Sequence, residues 1–386
     1  MNVLFLSISY KGNSDGIYTD LVKALTERGH NVTVVTSAIS KNSEDHNLRL
    51  IGIGGDNKTS NLIQKGLNTL FIGNKFKKNI KKYLKNNQFD IVIYATPPIT
   101  LNTAVNFCKK QFNAITYLML KDIFPQNAVD LNMFGKNSPL YYYFRHQERR
   151  IYAISDYIGC MSQGNVDYLL KNNPEINPSK VELFFNSIQI KKSLNEKMFS
   201  NSPVKFLFGG NLGRPQNIEG LLKIVKKLDS YDKAQFIIVG KGTEKDKILK
   251  YLEGNSSRNL KYYDFLPSDE YEAILHDADV GIISLDPRFT IPNIPSKLPV
   301  YMNYKKPILA LTDINTDLKS IIESCDCGWW LDARDEDGII SEILDICEHP
   351  EMITVKGNNG FNYLIQNYDV NLNIEILEEK VKEKSV

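Results

Sequence analysis

A glycine-rich segment in the second half of the chain has the residue types of an anion site. Its residues are Gly209, Gly210, Asn211, Leu212, Gly213, Arg214 and Pro215. Glycine lets a phosphate approach the backbone closely, and outward-facing N–H groups can hold its oxygens. Arg214 adds a planar guanidinium, and Pro215 stands where a helix with a positive N-terminal dipole could begin. The segment predicts either a phosphate site or an ordinary turn from a strand to a helix with a solvated arginine.

Two later segments place a lysine at a comparable position. The turn 240–242 reads Gly-Lys-Gly and follows the apolar run 234–239, so it lies at the end of a predicted strand. Ser296 and Lys297 lead from an irregular, proline-rich segment into a predicted helix. Because lysine is a frequent partner of phosphate, these turns favour the phosphate interpretation of the first segment.

The first half offers two candidate groups at strand ends. Asp122 follows the predicted strand 114–120, and α/β sheets place reacting groups at that edge. Asp122 could act as a base, orient a hydroxyl group of a ligand or cap its loop. Asp15 and Gly16 precede the first predicted helix and could meet a phosphate or a hydroxyl, although a plain N-cap turn explains them at least as well.

The elements that must position these groups are two series of alternating strands and helices. Apolar runs such as 3–9, 31–37 and 234–239 show no polar alternation. That pattern is typical of parallel strands covered by helices on both faces. Since 386 residues are too many for one comfortable core, we expect two domains. Lys, Asn and Ser displace apolar residues at 187–203, which we interpret as the linker.

Several classes of protein are disfavoured. A net charge of +2 argues against a nucleic-acid binder, and five unpatterned cysteines are typical of reduced cytosolic thiols. No apolar run reaches the roughly 18 residues of a membrane span, and the N-terminus lacks the basic region and cleavage site of a signal peptide. The sequence contains no G-x-G-x-x-G, Walker A or HExxH motif. Two Asp-x-Asp pairs, at 277/279 and 335/337, are well explained as caps, so no metal site is predicted.

A basic segment in the predicted helix 59–86 suggests a surface role. Residues 75–85 contain six lysines around an apolar stripe of Phe76, Ile80 and Leu84. Such a helix could lie on an anionic membrane surface. The alternative is a domain helix with a solvated lysine face.

Ordered motifs over nearly the whole chain resemble family 4 (group 1) of the nucleotide-sugar glycosyltransferases, in particular the branch that makes bacterial O-antigens and capsules. The second half carries the motifs at 208–216, 238–244, 294–298, 301–302 and 306–310. The first half adds 29–34 and 122–126. The resemblance implies the α/β fold called GT-B, in which two Rossmann-like domains face each other across a cleft.

The resemblance also implies a division of labour. Residues 1–186 would bind the acceptor, residues 204–365 would bind the nucleotide sugar, and the last helix, 366–386, would cross back to the N-terminal domain. The reaction would be a retaining transfer without a metal or a cofactor, because the nucleotide sugar is itself a substrate. The acceptor would be a saccharide or a lipid-linked saccharide, at the cytoplasmic face of the cell membrane.

The implied site residues follow from the motif positions. Asp122, Arg214 and Lys297 would be catalytic, and Phe265 with Leu266 would lie near the nucleobase. The donor would be bound by Gly16, Gly209, Gly210, Asn211, Gly213, Arg214, Gly240, Lys241, Gly242, Phe265, Leu266, Asn293, Ser296 and Lys297.

Two positions depart from the family pattern. Val300 stands where a glutamate is expected to hold the ribose hydroxyls, and Asn217 is near the place of a second basic residue in the glycine turn. These departures imply that the donor is held differently, that activity depends on a partner, or that the chain has lost catalysis and is a silent subunit that binds a partner transferase. A separate alternative is a sugar-nucleotide 2-epimerase, which can share this architecture.

Overall fold

The computed structural model describes residues 1–10, 12, 16–54, 62–191, 203–254 and 258–385. The chain forms two compact units. Unit 1 comprises Met1–Gln189 and Val370–Val386, and unit 2 comprises Ile190–Asp369. Most of the expected linker, 192–202, lies outside the described residues, as does Asp15.

The sheet of unit 1 is built from the apolar runs of the first half. In spatial order its strands are β3-β4-β2-β1-β5-β6-β7-β8, and all neighbours are parallel except β3 and β4. The order reverses between β1 and β5. The strands are β1 (Asn2–Ser7), β2 (Asn31–Thr36), β3 (Ser43–Asp45), β4 (Leu48–Gly52), β5 (Ile91–Thr96), β6 (Ile115–Leu120), β7 (Tyr157–Cys160) and β8 (Val181–Leu183).

Helices connect these strands and cover the sheet. They are α1 (Ile17–Glu27), α2 (Leu62–Tyr83), α3 (Asn102–Phe112), α4 (Gln126–Asp130), α5 (Pro139–Ile154) and α6 (Gln163–Asn172). In α1, Leu21, Val22 and Leu25 recur at helical spacing and are buried, because this stripe faces the sheet.

The apolar stripe of the basic segment belongs to the core. Phe76, Ile80 and Leu84 are each 0 % exposed. These side chains therefore cannot enter a bilayer, and the interpretation of 75–85 as an amphipathic helix lying on a membrane is wrong in that respect. Its lysines remain at the surface, with Lys77 5.7 Å from the centre of the Phe107 ring.

Unit 2 has a sheet in which every neighbouring pair is parallel, in the order β11-β10-β9-β12-β13-β14. The order reverses between β9 and β12, the kind of switch point at which open α/β sheets bind ligands. The strands are β9 (Val204–Gly209), β10 (Ala234–Val239), β11 (Leu260–Tyr263), β12 (Val280–Ser284), β13 (Ile308–Thr312) and β14 (Gly328–Asp332).

The helices of unit 2 follow its strands. They are α7 (Ile218–Lys227), α8 (Lys245–Gly254), α9 (Ser268–Asp277), α10 (Lys297–Asn303), α11 (Leu318–Cys325), α12 (Glu336–Glu348) and α13 (Glu351–Asn367). The helix expected to begin at Pro215 begins at Ile218, because Arg214–Gln216 form a short 3₁₀ turn and Asn217 adopts φ 45°. Asn217 accepts a hydrogen bond from the Gly220 N–H at 3.3 Å, so it is the N-cap of α7.

The final helix, α14 (Val370–Ser385), belongs to unit 1. Val370, Ile374 and Leu377 lie in the core of unit 1, at the spacing of one helix face. His30 Nε2 and Glu378 Oε1 lie 2.8 Å apart, and this contact connects α14 to the turn between α1 and β2. Among the described residues, no helix is long and apolar enough to cross a bilayer.

Candidate active site

The two glycine turns of unit 2 lie side by side at the carboxyl end of the sheet. The Gly210 N–H donates to the Val239 carbonyl at 2.8 Å, and the Leu212 N–H donates to the Lys241 carbonyl at 2.8 Å. The contact is so close that a Cβ added to Gly240 would lie 1.8 Å from the Gly210 oxygen, and one added to Gly242 would lie 2.1 Å from the Leu212 oxygen. Both positions therefore need glycine, because any side chain would push the turns apart.

Lys297 reaches the first glycine turn from the start of α10. Its ammonium lies 3.2 Å from the centre of the Phe208 ring, and its Cε lies 3.0 Å from the place where a Cβ of Gly210 would stand. Burial lowers the pKa of Lys297 well below its ordinary value, because desolvation penalises the charged form. Within the described ranges no carboxylate or carbonyl pairs with this ammonium. An anion bound at Gly210 would supply the missing counter-charge and so favour the protonated form of this lysine.

Arg214 lies on the same turn and is exposed. The Gly213 N–H donates to Gln216 Oε1 at 3.0 Å, which holds the 3₁₀ turn that carries Arg214. In the part of the chain that the structure describes, no hydrogen bond or ion pair engages the Arg214 guanidinium. Asn211 is exposed beside it. The N–H groups of Gly209, Gly210, Leu212 and Gly213 all donate within the protein, so these positions do not offer the outward-facing donors that the sequence suggested. The groups suited to attract an anion here are therefore the Lys297 and Arg214 side chains.

Lys241 and Phe265 form an exposed pair near the second glycine turn. The Lys241 ammonium lies 4.8 Å from the centre of the Phe265 ring, and the Phe265 side chain is 69 % exposed. Leu266 is partly buried beside it. An exposed flat ring flanked by a cation can stack on a planar heterocycle.

The remaining predicted donor residues lie before α10. The Asn293 carbonyl accepts a hydrogen bond from Thr316 Oγ1 at 2.7 Å, which fastens this segment to the loop after β13. Ser296 is exposed immediately before Lys297. Val300 is partly buried one turn after Lys297, so the helix face beside the lysine is apolar at this position.

Asp122 and Gly16 lie in unit 1. Asn127 Nδ2 donates to both carboxylate oxygens of Asp122, at 2.7 and 2.6 Å, and Thr96 Oγ1 donates to the Asp122 carbonyl at 3.3 Å. Burial raises the pKa of Asp122 to about 7, while the hydrogen bonds from Asn127 oppose that rise. A carboxyl group with such a pKa can exchange a proton near neutral pH. Gly16 is the N-cap of α1 with φ 150°, and a Cβ there would meet no atom within 4 Å.

Three groups near these strand ends were not predicted from the sequence. The buried hydroxyl of Tyr301 bonds both Leu207 and Gly209. Lys121 donates to the Phe184 carbonyl at 3.1 Å, and burial lowers its pKa to about 7. Burial raises the pKa of Asp313, after β13, to about 6. The partners of Tyr301 and Lys121 are distant in sequence, so no local pattern could have indicated these contacts. Asp313 accepts a hydrogen bond from the nearby Asn315 N–H at 2.8 Å, but the burial that raises its pKa is not visible in the sequence.

No group of three or more His, Cys, Asp or Glu side chains in the described residues is arranged to hold a metal ion. Of the two Asp-x-Asp pairs, Asp279 accepts from the Lys205 N–H at 2.9 Å, and Asp335 accepts from the Gly338 N–H at 3.0 Å. Both carboxylates thus hold backbone groups.

Comparisons with known proteins agree with this architecture. The family profile "Glycosyl transferases group 1" matches residues 203–349, and "Glycosyltransferase Family 4" matches residues 17–192. The chain is 25% identical to the "Probable glycosyltransferase WbjE" of Pseudomonas aeruginosa over 324 residues, which are 81% of this chain and 79% of that protein.

Solved structures show the same fold at low sequence identity. Sucrose-phosphate synthase from Thermosynechococcus elongatus matches with a TM-score of 0.79 at 15% identity, covering 99% of both chains. WaaG, described as a glycosyltransferase involved in lipopolysaccharide biosynthesis, matches with a TM-score of 0.71 at 12% identity, covering 97% of this chain and 98% of that one. HepE of Anabaena, in complex with UDP, matches with a TM-score of 0.65 at 13% identity, covering 99% of this chain and 100% of that one. The chain therefore belongs to the family 4 (group 1) glycosyltransferases, and its two α/β units have the GT-B fold.

Proposed function

We propose that this glycosyltransferase moves a sugar from a nucleoside-diphosphate donor to a saccharide acceptor during the synthesis of a bacterial surface polysaccharide. The observation that carries the proposal is the Lys297 ammonium, which lies beside Gly210 with no described counter-charge. Arg214 extends from the same turn. Solved complexes of HepE with UDP and with UDP-glucose support a nucleotide-sugar donor for this fold.

The chemistry follows from where charge develops. As the bond between the sugar and the diphosphate breaks, negative charge accumulates on the leaving phosphate. Preorganised cations and N–H groups at that point stabilise the transition state, and the loss of one such donor typically costs about 3 kcal/mol. The Lys297 and Arg214 side chains would bind the departing diphosphate, with Gly210 allowing it a close approach, and Lys241 with Phe265 would hold its nucleobase end.

Asp122 is the residue of unit 1 suited to the acceptor. Its pKa of about 7 allows it to orient an acceptor hydroxyl or to accept its proton near neutral pH. We further propose retention of anomeric configuration, with the donor phosphate assisting deprotonation of the acceptor, so that the reaction needs no protein nucleophile. Basic side chains then balance the diphosphate charge in place of a metal.

We propose that the acceptor is lipid-linked and reaches unit 1 from an anionic membrane surface. One face of α5 exposes Tyr142 and Tyr143, and Arg149 and Arg150 follow seven residues later on the same face. The Asp122 loop is fastened to this helix, because the rings of Phe124 and Phe144 meet edge to face at 4.8 Å. Exposed aromatic and basic side chains on one helix face suit the interface of an anionic bilayer.

Transfer is tested by following the donor by NMR, with and without a lipid-linked saccharide. A transferase consumes the nucleotide sugar only with the acceptor, and the anomeric coupling of the product reports retention. Conversion of the donor without an acceptor would instead identify a sugar-nucleotide epimerase. If no UDP, GDP or ADP sugar binds, the catalytically silent subunit that Val300 suggests becomes the better description.

A further inference from the structure

The sheet of unit 2 is incompletely paired at the point where its strand order reverses. β9 pairs with β10 over its whole length, from Val204 to Gly209. Its described pairing with β12 covers only Phe206 and Leu207. Alternate residues of a strand direct their backbone groups to opposite sides. The Gly210 N–H donates to Val239 of β10, so the N–H of the preceding residue, Gly209, points toward β12.

The Tyr301 hydroxyl bonds the backbone groups of β9 that do not pair with β12. This hydroxyl donates to the Leu207 carbonyl at 3.0 Å and accepts from the Gly209 N–H at 3.0 Å. The tyrosine ring lies against β12 so closely that a Cβ on Gly281 would stand 2.4 Å from a ring carbon. The side chain is 0 % exposed. Tyr301 therefore acts as a polar wedge between β9 and β12, and it satisfies groups that would otherwise be buried without partners.

The wedge is connected directly to the cation of the site. Tyr301 and Lys297 are four residues apart in α10, so their side chains occupy neighbouring positions on one helix face. The tyrosine hydroxyl fastens that helix to Gly209, and the lysine lies over Phe208 and Gly210, the residues on either side of Gly209. A phenylalanine would fill the same volume but would leave the Leu207 carbonyl and the Gly209 N–H unpaired.

We propose that Tyr301 is a positioning residue of the donor site, whose hydroxyl sets the separation between the Lys297 ammonium and the Gly209–Gly210 backbone. The inference rests on the proposed function insofar as this separation determines the affinity for a nucleoside diphosphate. The wedge itself can be tested without a nucleotide.

Calorimetric titration of the full chain with UDP, GDP and ADP measures the effect on binding. Tyr301→Phe should weaken the affinity for the tightest-binding nucleotide about tenfold. In a Lys297→Ala background the same substitution should cause almost no further loss, because the effects of coupled residues are not additive. Tyr94→Phe is the matched control, since Tyr94 is fully buried in unit 1 and its hydroxyl lies 2.6 Å from Ser155 Oγ. This control should lower the melting temperature without changing nucleotide affinity.

Acetylation of Lys297 by acetic anhydride, followed by mass spectrometry, tests the wedge independently. Tyr301→Phe should release the lysine and speed its labelling, while Tyr94→Phe should leave the rate unchanged. Unchanged labelling together with unchanged affinity in Tyr301→Phe would overturn the positioning role. Additive losses in the double variant would show a general structural effect and would overturn it as well. If the wild-type protein binds none of the three nucleotides, but Tyr301→Phe still speeds the labelling of Lys297, the donor site is refuted and the structural role of Tyr301 is retained.

Discussion

Asn127 donates through one nitrogen to both carboxylate oxygens of Asp122, at 2.7 and 2.6 Å. The bonds favour the ionised form of the carboxyl group, whereas burial disfavours it and raises its pKa to about 7. Burial acts in one direction and the hydrogen bonds from the Ile123 backbone and from Asn127 act in the other, so that Asp122 can gain or lose a proton near neutral pH. Substitutions at Asn127 and at Asp122 separate the effect of the hydrogen bonds from the effect of burial.

Asn127→Ala should raise the pKa of Asp122 further, because it removes bonds that stabilise the carboxylate. If Asp122 acts in its ionised form, the acid limb of the pH–rate profile for sugar transfer should move to higher pH, by about one pH unit. The surface variant Asn172→Ala should leave the profile in place. An acid limb that does not move in Asn127→Ala would separate Asp122 from the rate-limiting proton transfer.

Asp122→Asn should change the stability of the protein in a pH-dependent way. The folded pKa of about 7 exceeds the ordinary value of 3.8, so the stability that the protonated group contributes is fully present below pH 4 and is lost as pH rises through 7. Replacing Asp122 removes that loss. The melting temperature of the variant minus that of the wild type should therefore be greater at pH 8 than at pH 5, by about 2 °C or more. A difference that is the same at both pH values would mean that Asp122 titrates normally.

Val300→Glu should restore an acceptor for ribose hydroxyls one helical turn from Lys297. We expect the variant to bind a nucleoside diphosphate several-fold more tightly, and to gain less for the 2′-deoxy analogue, because a carboxylate rewards a hydroxyl donor. Val300→Gln is the neutral control. Equal gains for both nucleotides would indicate that residue 300 does not face the ribose.

Charge reversal separates the two basic surfaces of unit 1. Arg149→Glu with Arg150→Glu should reduce sedimentation with phosphatidylglycerol vesicles about tenfold or more, since each basic residue near such a surface contributes about 1 kcal/mol. Lys81→Glu with Lys82→Glu tests the predicted basic segment in the same assay. Loss of binding only in the second pair would assign the membrane contact to α2, and unchanged sedimentation in both pairs would refute a membrane-facing role for either helix.

The fold could be predicted because its determinants are local. Unbroken apolar runs such as that of β10 indicate buried parallel strands, and glycines at strand ends indicate sharp turns. The apolar stripe of the basic segment 75–85 could not be placed from the sequence, because its placement depends on packing and not on local pattern. Phe76, Ile80 and Leu84 show the same periodicity whether they face a bilayer or the protein core, and only their burial in the folded chain decides between the two. The short antiparallel β3, with the polar sequence Ser-Glu-Asp, carries no strand signal at all.

In the candidate site, too, some residues are identified by their type and position in the sequence, and others only by contacts in the folded chain. Gly209, Gly240 and Lys297 are conspicuous in the sequence because their residue types suit a phosphate. The hydroxyl of Tyr301 is not conspicuous, because its role arises from β9, 92 positions away for Gly209 and 94 for Leu207. The pKa of Asp122 likewise depends on burial, which no spacing of residues reveals.

Calorimetric titration with UDP, GDP and ADP tests most directly whether Arg214 and Lys297 bind the diphosphate of a nucleotide sugar. The wild-type protein should bind at least one of them, and Arg214→Ala and Lys297→Ala should each weaken that affinity on the order of tenfold to a hundredfold, as expected for the loss of a charged hydrogen bond. Arg258→Ala and Lys261→Ala are the matched controls, because both side chains are exposed in unit 2 near the amino end of β11 and should leave the affinity unchanged. Nucleotide binding that persists undiminished in both Arg214→Ala and Lys297→Ala would contradict the account.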